Sequence, residues 1–324
     1  MKVFFLTEYS KSVGFGHLSR CSSLADAFQE KGYEVEFLIR EWKDEALNLD
    51  YPKKKVEWQN TEEIRRLVSK EDLIVFDSYR VPVETLDKIA AEFPYVLSIA
   101  DSKLNFSNNG VVILGSVYGK EMDFSSSGKN KLDFLAGPEY MLFRKIFWNI
   151  EKKKLQNTIE TVLISLGGHA NSEVLERVIA TLSLYLNNAV IKILGNADIQ
   201  VPDRVERLGF LNPLDLLEEY KAADLIITNG GQSLNEVILL GIPAIGISLV
   251  DNQNKNIQTW NERGILKNNI NVGSEDFPKE LEDAIIEIKD LSKRIERTAR
   301  GTDMVDYKGA LRVVEYIKKK CANA

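Results

Sequence analysis

Short apolar runs alternate with amphipathic stretches along the whole chain. This rhythm restricts the fold more than any other feature, because it is the pattern of βαβ units on a parallel sheet. In the first half Val3–Leu6 reads as a buried strand, His17–Glu30 as a helix with Leu18, Cys21, Leu24, Ala25 and Phe28 on one face, and Gly32 as its stop. Tyr33–Ile39, Leu73–Phe76 and Tyr95–Ala100 read as further strands, Thr61–Ser69 and Val83–Phe93 as helices, and Val111–Leu114 as a candidate for one more strand. The stretch Lys120–Lys131 is polar and rich in Ser, Gly and Lys, which predicts an exposed loop. The aromatic residues Tyr140, Phe143, Phe147 and Trp148 are spaced as a helical stripe and read as core.

The rhythm restarts after the charged run Glu151-Lys-Lys-Lys154. Strands are expected at Val162–Leu166, Val190–Leu194, Leu225–Thr228 and Ala244–Leu249, with helices at Ser172–Leu184, Leu214–Tyr220 and Leu234–Leu240. At 324 residues the chain suits two domains rather than one. The expected division is 1–150 and 151–324. The last amphipathic stretch, Leu311–Ile317, is free to pack on either. The fold class expected is therefore α/β, two Rossmann-like halves with their strand-end loops facing a central cleft, where open α/β sheets bind ligands.

Composition narrows the partners. A net charge of −6 gives no general attraction to nucleic acid or anionic lipid, although a local basic pocket can still hold a phosphate. The two cysteines, Cys21 and Cys321, have no metal-type spacing and read as free thiols of a reducing compartment. The start, Met-Lys-Val-Phe-Phe-Leu-Thr, is too short an apolar run for a signal-peptide core or a membrane span. A cytoplasmic protein is expected, with a small-molecule substrate, no nucleic acid and no stable membrane insertion.

The two histidines both follow a strand in a glycine loop, Gly14-Phe-Gly16-His17 and Gly167-Gly168-His169. Glycines at a strand-to-helix turn let the backbone approach a ligand, the N–H groups of the next helix favour an anion, and an imidazole there exchanges protons near neutral pH. The competing reading of His17 is a helix-start residue on the surface. Gly14-x-Gly16 is neither a dinucleotide fingerprint nor a Walker loop. Thr228-Asn-Gly-Gly231-Gln-Ser233 follows a strand and leads into a helix carrying Glu236, an arrangement suited to a diphosphate at the helix start and a ribose diol at the carboxylate. Alternatively Glu236 is a solvated helix residue. Asp251-Asn252-Gln253 ends another strand, as ligand contacts or as a helix cap. Asp77-Ser78-Tyr79 ends the strand 73–76 at the same edge as His17, so Asp77 either orients His17, meets a sugar hydroxyl, or is a turn residue. Asp101 ends the next strand. No Asp-x-Asp pair or metal-ligand cluster is apparent, so neither a metal nor a cofactor is expected.

Taken in order, Gly14-Phe-Gly16-His17-Leu-Ser-Arg20, Asp77-Ser-Tyr79, Gly137-Pro-Glu-Tyr140 with Arg144, Leu166-Gly-Gly168, Gly230-Gly-Gln-Ser-Leu-Asn-Glu236 and Asp251-Asn-Gln253 resemble the UDP-sugar hydrolases of pseudaminic acid biosynthesis. The spore-coat polysaccharide glycosyltransferase-like proteins share the run, and the undecaprenyl-linked N-acetylglucosaminyltransferase of peptidoglycan synthesis is similar at greater distance. The resemblance implies a GT-B fold and hydrolysis of UDP-2,4-diacetamido-2,4,6-trideoxy-β-L-altropyranose with inversion. It implies His17 as the base that activates water, with Tyr79 beside it and Asp77 in the same group. It also implies nucleotide or sugar contacts from Gly14, Gly16, Arg20, Gly167, Gly168, His169, Gly230, Gly231, Gln232, Ser233, Glu236, Asn252 and Gln253. Three positions depart from the hydrolase pattern: His169-Ala170 replaces Ser/Thr-Asp after the paired glycines, and Ser78 replaces the usual His between Asp77 and Tyr79. Transfer to an acceptor, and non-catalytic binding of a nucleotide sugar, remain the alternatives to hydrolysis.

Overall fold

The computed structural model describes residues 1–9, 16–40, 49–58, 60–100, 107, 110–122, 132–167, 172–196, 199 and 202–322. The chain forms two compact units, Met1–Trp148 with Tyr307–Ala324, and Asn149–Asp306.

The first unit opens with β1 (Lys2–Glu8), α1 (Gly16–Glu30), β2 (Glu34–Arg40), β3 (Lys53–Lys55), α2 (Thr61–Leu67), β4 (Leu73–Asp77) and α3 (Val83–Ala90). It continues with β5 (Tyr95–Ile99), β6 (Gly110–Leu114) and β7 (Leu132–Ala136). Among the described residues its strands form one parallel sheet in the order β3-β2-β1-β4-β5-β6-β7. A strand in the middle of such a sheet is covered on both faces and must be apolar throughout. β1 meets this demand: Val3 and Phe5 pack with α1, while Phe4 and Leu6 pack on the opposite face with Ile64 of α2 and Leu86 and Ile89 of α3.

The second unit contains β8 (Thr161–Ser165), α4 (Ser172–Tyr185), β9 (Val190–Leu194), β10 (Val205–Gly209), α5 (Pro213–Ala222) and β11 (Leu225–Asn229). After these come α6 (Gln232–Leu239), β12 (Ala244–Ile247), α7 (Asp251–Glu262), α8 (Phe277–Ile288) and α9 (Leu291–Met304). Its sheet is parallel in the order β10-β9-β8-β11-β12. Local chemistry marks the helix starts: the Asn212 side chain accepts from Leu214 N and Asp215 N ahead of α5, with Pro213 at its first position.

The chain then returns to the first unit as α10 (Gly309–Ala322), whose Ala310, Val313, Val314 and Ile317 join the core beside α1. Its approach is close. A Cβ on Gly309 would lie 2.1 Å from Met141 O, and Arg312 Nη1 donates to Glu139 O at 2.9 Å.

Several sequence expectations require correction. The Tyr140–Trp148 stripe is not an α-helix but two 3₁₀ turns, Pro138–Tyr140 and Lys145–Phe147, joined by extended backbone; Phe143 and Phe147 are buried all the same. α3 stops at Ala90 instead of Phe93, since Pro94 disfavours helical backbone at the residue before it. α2 stops at Leu67, with Val68 extended. β3, which has no counterpart among the expected strands, is the lysine run 53–55 at the sheet edge, the position where charge blocks further pairing. β7, β10, α7, α8 and α9 have no counterpart in the sequence reading. The expectations for Asp101 and for most of the 120–131 loop lie outside the described residues.

Candidate functional site

In the first unit the chain builds outward from β1 to β2 and β3, then crosses to β4 on the other side, so the strand order reverses between β1 and β4. The carboxyl edge at such a reversal is where open α/β sheets leave a crevice for ligands. Three ionisable side chains meet there. Glu8 is the last residue of β1, His17 the second of α1, and Asp77 the last of β4, in register with Thr7. All three are buried, at 0%, 2% and 1% exposure, which overturns the reading of His17 as a surface residue.

His17 Nδ1 lies 2.5 Å from Asp77 Oδ1 and 3.1 Å from Arg20 Nη2. Only one of these contacts is compatible with a given ring proton. The shorter one decides: a carboxylate is acceptor-only, so Nδ1 carries the hydrogen and donates it to Asp77. Nε2 is then the basic nitrogen, and it lies 4.0 Å from Glu8 Oε1. Arg20 grips Asp77 with both arms, Nε to Oδ2 at 3.0 Å and Nη2 to Oδ1 at 2.7 Å. Burial pushes the Asp77 carboxyl up, but Arg20 and His17, by charge and by hydrogen bonding, outweigh it and hold the group below the ordinary carboxylate range. The adjacent Cys21 thiol moves the other way, raised by burial and then by the Asp77 charge, and is held as an inert core group.

Tyr79 stands edge-on to the His17 ring, centroids 4.3 Å apart, and its hydroxyl accepts from Arg20 Nη1 at 3.3 Å. At 43% exposure it is the open member of the group. Its backbone N–H donates to Glu8 Oε1 at 3.0 Å. Glu8 Oε2 has no hydrogen-bond partner among the described residues. Glu8 escapes the sequence reading because the run before it reads simply as strand; the signal that finds it is an acidic residue ending the central strand at the reversal. Gly16 is exposed, and an added Cβ would meet nothing within 4 Å among the described residues, so packing supplies no reason for glycine there.

The second unit reverses its strand order between β8 and β11, and its glycine loops lie at that point. Gly167, with φ of 72°, follows β8; Gly230 and Gly231 follow β11. Asn229 ties the two loops together, Nδ2 donating to Leu166 O and Oδ1 accepting from Gly231 N, both at 2.9 Å. Asn256 Nδ2 donates to Gly230 O at 2.8 Å from α7. Gly230 is a packing glycine: an added Cβ would lie 2.8 Å from Ile257 Cγ1 and 2.9 Å from the Gln253 backbone oxygen. The Gly231 amide is committed to Asn229, and Gln232 and Ser233 open α6 directly after it. Glu236 is 1% exposed, which rules out a solvated residue. On α7, Asn252 is exposed, and Gln253 Oε1 accepts from Leu249 N at 3.0 Å. Phe210, 80% exposed just after β10, is an apolar surface at this edge that the sequence reading omits.

The structure thus gathers His17, Asp77, Arg20 and Tyr79 in the first unit, and Gly167, Gly230, Gly231, Gln232 and Ser233 around α6 in the second. Arg20, expected as a ligand contact, is engaged with Asp77 and Tyr79. Gly14, Gly168 and His169 lie outside the described residues. Among the described residues no three His, Cys, Asp or Glu side chains form a group that could hold a metal ion, and no helix is long and apolar enough to cross a membrane.

The fold defines the class: two Rossmann-like units, each a parallel sheet with helices, make this a GT-B chain. Solved structures similar to it include Acinetobacter baumannii MurG (TM-score 0.66, 15% identity, covering 98% of this chain and all of that one) and the spinosyn rhamnosyltransferase SpnG (0.66, 13%, 98% and all). A Staphylococcus aureus MnaA–UDP co-structure is also similar (0.63, 12%, covering 99% of this chain and 97% of that one). No family model matches the chain. By sequence it is 24% identical over 274 residues to the Bacillus subtilis spore coat polysaccharide biosynthesis protein SpsG, covering 78% of each. It is 21% identical over 267 residues to the UDP-2,4-diacetamido-2,4,6-trideoxy-beta-L-altropyranose hydrolase of Campylobacter jejuni, covering 80% of this chain and 96% of that one. An uncharacterized protein of Methanocaldococcus jannaschii is 24% identical over 273 residues, 76% of this chain but only 55% of its own length.

Proposed function

We propose that the chain hydrolyses a nucleotide sugar, UDP-2,4-diacetamido-2,4,6-trideoxy-β-L-altropyranose, to free sugar and UDP, with inversion and without a metal, in the cytoplasm. The observation that carries this reading is the 2.5 Å contact from His17 Nδ1 to Asp77, which leaves Nε2 as a base whose tautomer is set by its neighbour. Nε2 removes a proton from the nucleophile. Asp77, held by Arg20, stabilises the imidazolium that forms, and Tyr79 lines the ring beside it. The second unit holds the nucleotide: the first-turn amides of α6 take the diphosphate and stabilise the charge that develops on the departing UDP, as helix N-termini do for phosphates. Glu236 takes the ribose diol, Asn252 and Gln253 the diphosphate or sugar, and Gly16, with open space at its Cα, lets the substrate approach the backbone. The exposed Phe210 supplies an apolar platform for a planar base.

Transfer to an acceptor is the second reading, favoured by the glycosyltransferases among the similar folds. The test is to incubate the protein with the UDP-sugar and no acceptor and to follow free sugar by NMR. Release without acceptor supports hydrolysis; UDP appearing only on addition of an acceptor supports transfer. His17→Ala is expected to lower turnover by about 10²–10⁴ while calorimetric UDP affinity stays within a few-fold. Unchanged turnover rejects His17 as the base, and turnover absent in the wild type with UDP binding intact indicates a non-catalytic binder.

A further inference from the structure

Helix α7 is built from residues that a helix does not favour. Four of its twelve residues are asparagines, Asn252, Asn254, Asn256 and Asn261, whose short amides compete with the backbone and weaken a helix. Asn256 has a local duty, holding the glycine loop through Gly230 O. Asn254 and Gln258, one turn apart, share a different face of the helix. Together with Ser248, Ile257, Asn269 and Asn271 they line a cavity of about 210 Å³. Ser248 directly follows β12 and bridges to Asn271, so the cavity lies at the carboxyl edge of the second sheet. It is smaller than the roughly 300–1,000 Å³ that holds a drug-sized ligand, so one sugar residue fits and a nucleotide does not.

None of the six lining side chains carries a charge, so the cavity offers no ion partner to a phosphate or a metal. Bonds within and beside the lining consume the asparagine oxygens. Asn254 Oδ1 accepts from Asn271 Nδ2 at 2.8 Å, Asn269 Oδ1 from Asn261 Nδ2 at 3.2 Å, and Asn271 Oδ1 from Gly273 N at 2.8 Å. These bonds fasten α7 to the segment 269–273. They leave the NH₂ groups of Asn254 and Asn269 without an acceptor among the described residues. Gln258 is the reverse: its Nε2 donates to Glu262 Oε1 at 2.8 Å, and its Oε1 has no donor among them. Fastening accounts for the oxygens that are used and not for the groups left over. Two NH₂ donors, one carbonyl acceptor and the apolar Ile257 match an acetamido group, which presents a carbonyl oxygen with two lone pairs, one N–H and a methyl. The geometry points to this cavity as a binding site for a neutral saccharide recognised by its acetamido group, separate from the glycine loops. The inference does not rest on the reaction proposed above, because it invokes neither His17 nor a nucleotide.

Titration of the ¹⁵N-labelled full chain with N-acetylglucosamine tests this. The side-chain amide signals of Asn254 and Asn269, assigned by their loss in Asn254→Asp and Asn269→Asp, should both shift with one Kd of about 1–10 mM, the strength that a few hydrogen bonds give a monosaccharide. Saturating UDP should leave that Kd within about two-fold. Glucose and glucosamine, which lack the acetyl group, should bind about 10-fold more weakly. Gln258→Ala removes the acceptor at an exposed position, and Asn269→Asp removes the NH₂ donor while keeping the oxygen that Asn261 uses. Each should weaken N-acetylglucosamine by about 10-fold, with the melting temperature and the UDP titration unchanged. Amide signals that stay still at about 50 mM sugar, glucose bound as tightly as N-acetylglucosamine, displacement of the sugar by UDP, or full affinity in both variants would overturn the assignment.

Discussion

The two units solve one topological problem with opposite chemistry. Each reverses its strand order at the first strand of its sheet, and each gathers polar groups at that carboxyl edge. In the first unit the groups are charged side chains, buried and cross-braced: Glu8, His17, Asp77 and Arg20. In the second they are backbone groups of glycine loops, held by the uncharged amides of Asn229 and Asn256. Side chains can trade protons, whereas amides offer fixed donors that neither titrate nor repel an anion. On the proposed function, bond making falls to the first edge and anion holding to the second.

The sharpest way to break this comparison is to unbrace the charged edge. Arg20→Ala leaves the buried Asp77 with His17 and the weak Cys21 thiol donor, and removing one partner of a buried pair costs about 3–5 kcal/mol. Thermal or urea unfolding should show that loss while UDP affinity stays unchanged; weakened UDP binding would place Arg20 among the nucleotide contacts and blur the division. Acid probes the same brace reversibly. Asp77 is held below its ordinary range in the folded chain, so between its folded value and the unfolded value near pH ~3.9 the unfolded state binds more protons. Its contribution is complete above that unfolded value and is lost as pH falls through the folded one. Melting temperatures from pH 6 to 3 should therefore fall in wild type and fall less steeply in Asp77→Asn. The smallest effects lie with the glycines. Gly230→Ala forces Cβ against Ile257 and Gln253 and should cost about 1–3 kcal/mol with weaker UDP binding. Gly16→Ala, with room for its Cβ, should move stability by less than about 1 kcal/mol yet slow turnover.

The strand–helix alternation was legible because parallel strands must be apolar on both faces, which prints runs such as Val3–Leu6 plainly. That His17 and Asp77 share an edge follows from both standing at strand ends. Glu8 was hidden, since whether the oxygens of a strand-terminal acid are satisfied is decided by Tyr79 and His17, which are distant in sequence. β3 was hidden for a different reason. An edge strand with one sequence-legible neighbour needs no apolar pattern, so Lys53–Lys55 looks like a surface charge cluster. The Tyr140–Trp148 spacing misled because the 3₁₀ turns around Pro138 and Lys145 bury the same aromatics without a helix.

Helix α10 has a consequence for how the molecule is made. The first unit is written in two pieces, with all of the second unit between them. A ribosome finishes the later unit before it supplies Val313, Val314 and Ile317, which pack beside Phe28 and Ala25. The domain that begins first is therefore completed last, and until then its greasy flank stands open to chaperones or to a neighbouring nascent chain.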